Sequence, residues 1–378
     1  MQWLLERLEL SRGGSRNMLP MEGLRGIAVF LVFLVHFVSF SAPWFASVGW
    51  LGALLNGVHA IGNTGVDLFF LLSGYLIYGT LMRRDQPFAA FMLRRVRRIY
   101  PAFLVVFTVY LVLAVVMPSL GKLPATGLPQ YILANVLLLP GLFPIEPLIT
   151  VAWSLSYEMF FYLSLPIAIA SGKVRAWSPT NRIVGLLILA TAFFAYCAAA
   201  TGPVRLAMFV AGMLLHELLS VTIWRPAASL AAISGFAAVL LMVIPTEGSV
   251  GFTLKVVALF FGFGLLCWSC LSQPDSWLGL GLSWAPLRWL GNISYSYYLV
   301  HGLALHAGFK LATTMLPAAQ WGALGGALLL PAAFALSLLP GVLLYLIVER
   351  PLSLVPGEQT RRSVELFPLN MVNDKEPT

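Results

Sequence analysis

One apolar run near the start of the chain restricts what this sequence can fold into. The stretch from Met21 to Phe40 is largely apolar after Arg25 and holds one ionisable side chain there, His36. A transmembrane helix needs about 20 predominantly apolar residues, so this run is long enough to cross a bilayer. An ionisable group at membrane depth is costly in free energy, and His36 is therefore a candidate functional residue.

The spacing of Arg25 and His36 indicates where each side chain lies in the bilayer. Ten residues separate them, which corresponds to about 16 Å along an α-helix. With Arg25 at the membrane surface, His36 lies near the middle of a hydrocarbon core that is about 30 Å thick. The structural alternative is an arginine at a helix end and a histidine hydrogen-bonded to a neighbouring helix.

The composition places the whole chain in the membrane class. Of 378 residues, 59% are hydrophobic and 10% are charged, against about 25% charged residues in soluble domains. The apolar runs are long and do not alternate, which favours helices over a β-barrel. The net charge of +8 comes from short basic clusters between these runs, a pattern that is typical of cytoplasmic loops and does not indicate a nucleic-acid partner.

These runs predict an all-α polytopic membrane protein with about ten transmembrane helices. The predicted spans are 24–41, 65–82, 100–117, 154–170, 183–200, 205–220, 227–244, 254–272, 291–312 and 323–348. The segment from Arg83 to Arg98 is the clearest predicted loop, and its six arginines place it in the cytoplasm by the positive-inside rule. Alternation from there puts both termini in the cytoplasm.

The chain divides into three predicted parts. Residues 1–20 form a cytoplasmic leader, either an interfacial helix or an unordered segment, residues 21–351 form the membrane domain, and residues 352–378 form a polar tail. No cleavable signal peptide and no internal repeat is evident, and the missing repeat weakens a transporter interpretation. The segment from Pro118 to Val151 is too long for a simple turn, so we expect it to fold back over the membrane. The three cysteines show no disulfide or metal-site spacing.

Polar side chains interrupt the apolar pattern in the first half of the chain. Asp67 lies near the expected start of a span, where it either caps the helix or has a functional role. Ser73 with its neighbouring glycine indicates close helix packing. Arg95 and Arg98 are three residues apart on one helical face, and their forked guanidinium groups suit phosphates. A positive-inside anchor is the simpler explanation of any single arginine there.

Two further polar clusters lie in the second half of the chain. Glu158 lies inside an apolar run and needs a partner there. A hydroxyl-rich face with Ser294, Tyr295 and Tyr298 leads to His301, which we expect near mid-membrane. The remaining histidines, expected in an outer loop or near helix ends with structural roles, are His59, His216 and His306.

Together these motifs resemble the acyltransferase-3 family of integral membrane acyltransferases. The matching stretches, in chain order, are Leu-Arg-Gly-Ile-Ala followed by His36, Gly-Val-Asp-Leu-Phe-Phe with Ser-Gly, Arg-x-x-Arg-Ile-x-Pro, Trp-Ser-Leu-Ser-x-Glu, and Ile-Ser-Tyr-Ser-x-Tyr-Leu-x-His. The resemblance runs from Glu22 to about Pro351, and Glu22 stands where many members have Asp.

The resemblance implies ten core helices and transfer of an acyl group, usually acetyl, from coenzyme A on the cytoplasmic side. The implied acceptor is a hydroxyl of a cell-surface glycan, a lipid-linked sugar or a glycosylated metabolite. Arg25 and His36 match the family's essential Arg-x10-His motif, and Arg95 and Arg98 match its cytoplasmic Arg-x-x-Arg motif. We expect no appended extracytoplasmic hydrolase-like domain.

The resulting hypothesis is a multi-pass O-acyltransferase of the bacterial inner membrane. Its expected partners are acyl-CoA as co-substrate (acetyl-CoA in the usual case), a glycan or glycolipid acceptor and the bilayer, with no permanently bound cofactor and no metal. The assigned residues are His36 and Glu158 for catalysis, Arg25, Arg95 and Arg98 for coenzyme A, and Ser73, Ser294, Tyr295, Tyr298 and His301 for substrate. His36 would act as general base or carry the acyl group itself. The open alternatives are a glycolipid transporter or flippase and a purely structural membrane subunit.

Overall fold

Helices make up nearly all of the architecture. The computed structural model describes residues 7–9, 19–46, 49–117, 123–124 and 126–354. The predicted tail from residue 355 onward and most of the predicted leader lie outside the described residues. The expected all-α class is confirmed for the part of the chain that the structure describes.

Most helices follow one another with short connections, and the longer connections lie on either side of α4. They are α1 (Leu19–Phe45), α2 (Gly49–Arg83), α3 (Phe88–Val116), α4 (Leu128–Val136), α5 (Trp153–Ser171), α6 (Pro179–Ala200), α7 (Ala207–Val221), α8 (Ala228–Leu241), α9 (Gly248–Ser272), α10 (Trp277–Leu282), α11 (Ala285–Asn292), α12 (Ser294–Met315) and α13 (Ala318–Leu344). A π-helical segment, Tyr345–Leu354, continues α13 without a break. The last helix therefore runs beyond Pro351, where we expected the polar tail to begin.

Each of the ten predicted spans coincides with a helix. Among the described helices, seven are long and apolar enough to cross a membrane. They are α1, α2, α3, α6, α7, α9 and α13, where α7 and α13 are taken together with the helical segments that adjoin them. The shorter α8 has 14 residues, and α5 and α12 carry the polar side chains of the site described below. The chain is a multi-pass membrane protein, while crossing by all ten helices and the cytoplasmic position of both termini remain predictions.

Helix α2 corrects three expectations. It begins at Gly49 and has 35 residues, so His59 lies within a helix and not in an outer loop. Asp67 does not cap a helix start, because it lies in the helix interior. Its buried carboxylate pairs with Arg205. The arginine-rich segment after α2 is mostly helical, since only residues 84–87 separate α2 from α3.

Glycine allows α1 to approach α11 at backbone contact distance. A Cβ atom on Gly26 would collide with the carbonyl oxygen of Leu287, and a Cβ atom on Gly291 would collide with that of Glu22. Any larger residue would force the two helices apart. This close packing brings the start of α12, which directly follows α11, beside Arg25.

The described part of the segment between α3 and α5 packs against the helix bundle, while its folding back over the membrane stays a prediction. In the described part, the Tyr100 hydroxyl donates to the carbonyl of Val136 (2.9 Å). The side-chain oxygen of Asn135 accepts from the Leu148 amide (2.8 Å). Leu138 and Ile149 are buried, so the segment packs as a cap against the bundle.

Candidate active site

Two histidines from distant parts of the chain meet inside the helix bundle. The ring centroids of His36 on α1 and His301 on α12 are 4.9 Å apart, and the ring planes are inclined by 69°. The sequence placed both residues near mid-membrane, and the structure brings their rings into contact. His36 is half-buried, whereas His301 is completely buried.

The backbone of α12 determines the tautomer of His301. Nδ1 lies 2.8 Å from the carbonyl oxygen of Tyr298 and 3.1 Å from that of Tyr297. A carbonyl oxygen can only accept, so Nδ1 carries the hydrogen and Nε2 carries the basic lone pair. Among the described residues, the buried Nε2 atom has no hydrogen-bond partner.

His36 lines a cavity of about 320 Å³. The wall is mostly apolar, with four polar side chains interspersed. The polar lining residues are His36, Tyr110, Thr150 and His306, and the apolar ones are Phe40, Leu113, Ala114, Leu148, Val151, Leu299, Gly302 and Leu303. The cavity is large enough for a small substrate, since ligand sites begin near 300 Å³.

Tyr298 holds one wall of the cavity in place. Its hydroxyl donates to the carbonyl of Val151 (3.1 Å) and lies 2.7 Å from the Ser154 hydroxyl. Val151 belongs to the 3₁₀ turn Thr150–Ala152, which contributes two lining residues. In this conformation Tyr298 therefore supports the wall and is not itself a lining residue.

Arg25 and Arg98 lie beside the start of α12. Arg25 donates to the Ser294 hydroxyl (3.0 Å). Arg98 pairs with the completely buried Glu349 and lies over the Tyr295 ring, 5.4 Å from its centroid. The Tyr295 hydroxyl donates to the carbonyl of Ile99 (2.7 Å), which ties α12 to α3.

Glu349 is a site residue that the sequence interpretation missed. Besides Arg98, it accepts from the backbone amide of Ser296 (3.1 Å) and from that residue's hydroxyl. It thereby places negative charge at the amino-terminal end of α12, where the helix dipole favours it. The available signal was a carboxylate directly following the apolar run of the last predicted span, which requires a partner.

A second group of polar side chains surrounds Glu158. Ser73 donates to its carboxylate (2.9 Å), and the Tyr162 hydroxyl donates to the same oxygen. Arg95 lies over the Tyr162 ring, 5.8 Å from the centroid, and its buried Nε has no hydrogen-bond partner within the described chain. Glu158 is not a lining residue of the cavity beside His36.

The arginines lie nearer the amino-terminal ends of three parallel helices, and the cavity lies further along them. Near their amino-terminal ends, α1 and α3 both contact the start of α12 through Arg25 and Arg98. Further along, the same three helices contribute His36, Tyr110 and Gly302 to the cavity. A molecule bound at the arginines would therefore have to extend toward the carboxyl-terminal part of these helices to reach the histidine pair.

The other buried charges belong to separate ion pairs away from this arrangement. Asp67 pairs with Arg205, and Glu217 accepts from Arg182 (2.8 Å) and from Tyr78 (2.6 Å). Within the described ranges, no group of three or more His, Cys, Asp or Glu side chains could hold a metal ion. The cysteines are buried and unpaired.

The fold and this arrangement define a multi-pass membrane protein with two histidines in contact and a cavity inside its helix bundle. Residues 20–346 match the family described as an acyltransferase domain, and the chain belongs to that family. The protein is accordingly a membrane acyltransferase, and the resemblance seen in the sequence motifs is confirmed.

Known relatives support the same class. The chain is 29% identical to the acyltransferase MdmB of Streptomyces mycarofaciens, and the match covers 92% of this chain and 94% of that protein. It is 28% identical to the exopolysaccharide production protein ExoZ of Rhizobium meliloti over 77% of this chain and 90% of ExoZ. Against the peptidoglycan O-acetyltransferase OatA of Listeria monocytogenes the identity is 27%, and the match covers 76% of this chain but 49% of OatA. No solved structure matches the chain.

Proposed function

We propose that this protein transfers an acyl group, acetyl in the usual case, from acyl-CoA to an acceptor hydroxyl on the opposite side of a bacterial inner membrane. The observation that carries the proposal is the histidine pair beside a cavity, at the far end of helices whose near ends carry Arg25 and Arg98. Donor and acceptor would meet at His36 from opposite directions. Coenzyme A itself would not need to cross.

Arg25, Arg95 and Arg98 are the proposed binding residues for the phosphates of coenzyme A. Guanidinium groups form paired, charge-assisted hydrogen bonds with phosphate oxygens. Arg98 already has a carboxylate partner in Glu349, so its charge is largely compensated. Arg95 has a buried nitrogen without a hydrogen-bond partner in the described residues, which makes it the strongest phosphate ligand of the three.

His36 is the proposed general base. The distance from Arg25 to His36, about 16 Å along α1, would be spanned by the extended arm of the thioester. His36 would take the proton of the acceptor hydroxyl while its oxygen attacks the thioester carbon. The carbon–sulfur bond then breaks, and the thiolate takes the proton back from His36. Transient attachment of the acyl group to His36 would follow the same route in two steps.

The acceptor is proposed to be a hydroxyl of a glycan, a lipid-linked sugar or a glycosylated metabolite. The names of ExoZ and OatA refer to an exopolysaccharide and to peptidoglycan, which supports a sugar acceptor. Aromatic residues at the cavity, Phe40 and Tyr110, suit the C–H faces of sugar rings. Glu158, Ser73, Ser294, Tyr295, Tyr298 and His301 remain proposed orienting residues.

The test is consumption of the thioester by purified protein in liposomes. Acetyl-CoA is supplied on the side of the arginines, and release of free thiol is measured with and without a panel of glycan acceptors on the other side. Acceptor-dependent thiol release, together with an acetylated acceptor in mass spectra, supports the proposal. A flippase or a structural subunit would release no thiol with any acceptor.

The proposed orientation has its own test. A reporter that is active only outside the cytoplasm is inserted beside Gly248, at the start of α9, or fused after Thr378. We expect activity at Gly248 and none at Thr378, because the basic clusters hold the arginine-bearing ends inside. The reverse pattern would invert the proposed sides of donor and acceptor.

A further inference from the structure

We infer that His301 is a positioning residue for His36: its Nε2 atom accepts a hydrogen bond from His36 and thereby directs the basic nitrogen of His36 toward the cavity. The inference rests on the proposed general-base role of His36. It concerns which nitrogen of His36 carries the hydrogen, a choice that the reaction depends on.

The first step is the fixed orientation of the His301 ring. Two backbone carbonyl oxygens hold Nδ1, at 2.8 and 3.1 Å. The ring also stacks on Tyr297, with centroids 5.2 Å apart and planes inclined by 11°. A ring flip would lose both hydrogen bonds, so Nε2 stays the acceptor.

The second step is the cost of leaving that acceptor without a donor. The Nε2 atom is buried and has no hydrogen-bond partner among the described residues. A buried polar atom in this state loses its hydration without compensation. Such an atom in a folded protein needs an explanation, and a catalytic role is one of those that folded proteins show.

The third step identifies that partner. The His36 ring lies edge-on to His301 at 4.9 Å between centroids, and its imidazole N–H is a donor of the right kind. Catalytic hydrogen bonds are often long without substrate and shorten once substrate is bound. A small rotation of the half-buried His36 ring would close the gap.

The chemical consequence follows from the two nitrogens of one imidazole. With its N–H directed to His301, His36 has its lone pair on the other nitrogen, available to the cavity that it lines. The acceptor proton moves to that nitrogen and later to the departing thiolate, while His301 neither gains nor loses a proton. His301 would stabilise the transient His36 cation, as an orienting group does in other base-assisted sites.

The test is a double-mutant cycle on acyl transfer. The variants are His36→Ala, His301→Phe, the double variant, and His301→Gln, whose amide oxygen retains an acceptor. Tyr297→Phe, on the same helix as His301, is the matched control, because it removes the hydrogen bond to Ser337 of α13 (2.8 Å) and keeps the stacked ring. Turnover, KM for acetyl-CoA and thermal melting are measured for each.

We expect His301→Phe to lower kcat by about 10²-fold, the lower end of what a general base contributes, with KM unchanged. His301→Gln should recover part of the loss, Tyr297→Phe should stay near the parent, and the double variant should match His36→Ala. Multiplying losses in the double variant would overturn the inference and make His301 an independent catalyst. Equal losses in Tyr297→Phe and His301→Phe, or no loss in His301→Phe, would also overturn it. Full activity of His36→Ala would instead overturn the proposed function.

Discussion

The two ends of the site differ in whether their buried polar groups have partners. At the arginine end, Arg98 and Glu349 form a buried ion pair, and Ser296 completes the bonding of the carboxylate. At the cavity end, His36 and His301 meet as two bases, and the Nε2 atom of His301 has no donor among the described residues.

The difference separates architecture from chemistry. A compensated ion pair holds helices together, and its arginine offers a phosphate less charge than an arginine without a carboxylate partner. An imidazole without a partner inside an apolar bundle lowers the stability of the fold, so its presence there favours a role in the reaction. The comparison predicts that changes at the cavity end affect turnover, while changes at Glu349 affect folding.

The largest expected effect is on turnover at the cavity end. His36→Ala should reduce acyl transfer by about 10²–10⁴-fold, because the acceptor hydroxyl loses its base. The measurement is turnover of purified protein whose thermal melting matches the parent. Near-parental turnover would place the chemistry elsewhere and remove the contrast between the two ends.

The next effect is on stability at the arginine end. Glu349→Ala should destabilise the fold by about 3–5 kcal/mol, because it leaves the charge of Arg98 without its partner. The measurement is the unfolding midpoint in detergent. The matched control is Asp85→Ala, which breaks the exposed pair with Arg175 (2.8 Å). Exposed pairs contribute little, so this control should melt like the parent. Equal melting of both variants would contradict the structural role of Glu349.

A smaller effect is expected on donor affinity. Arg95→Ala should raise KM for acyl-CoA by about 10–100-fold, the loss of one hydrogen bond to a charged group. Arg95→Lys should restore only part of the affinity, because an ammonium group keeps the charge but lacks the planar fork. Arg97→Ala is the control, because Arg97 is an exposed basic neighbour on the same helix. An unchanged KM for Arg95→Ala, with orientation verified, would count against phosphate binding there.

The smallest expected effect concerns the size of the transferred group. A Cβ atom on the cavity residue Gly302 would meet the Tyr110 hydroxyl at 3.7 Å, an ordinary contact, so larger side chains fill open space. Gly302→Val should lower the ratio of kcat/KM for butyryl-CoA to kcat/KM for acetyl-CoA by about tenfold. Gly264→Val, at a helical glycine with open space around it, should leave that preference unchanged. A shift common to both variants would exclude a specific role of Gly302.

Much of the fold and part of the site followed from the sequence alone. Hydropathy is a property of consecutive residues, so the apolar runs of the sequence predicted a helix for each span. Helix α2 proved longer than its apolar part. Helical rise placed His36 and His301 at similar depths. The match to the family motifs identified Arg25, Arg95 and Arg98 as candidate binding residues.

Tertiary structure decided which side chains meet. Arg98 finds Glu349 across 251 residues, and Arg25 finds Ser294 across 269, distances over which no local pattern extends. Asp67 was misinterpreted as a cap because its partner, Arg205, lies 138 residues away. His306 and Tyr110 became cavity residues only through the packing of α1, α3 and α12. Hydropathy determines which segments enter the membrane, but contacts between helices depend on side-chain shape and backbone approach, and these are set by the packed bundle as a whole.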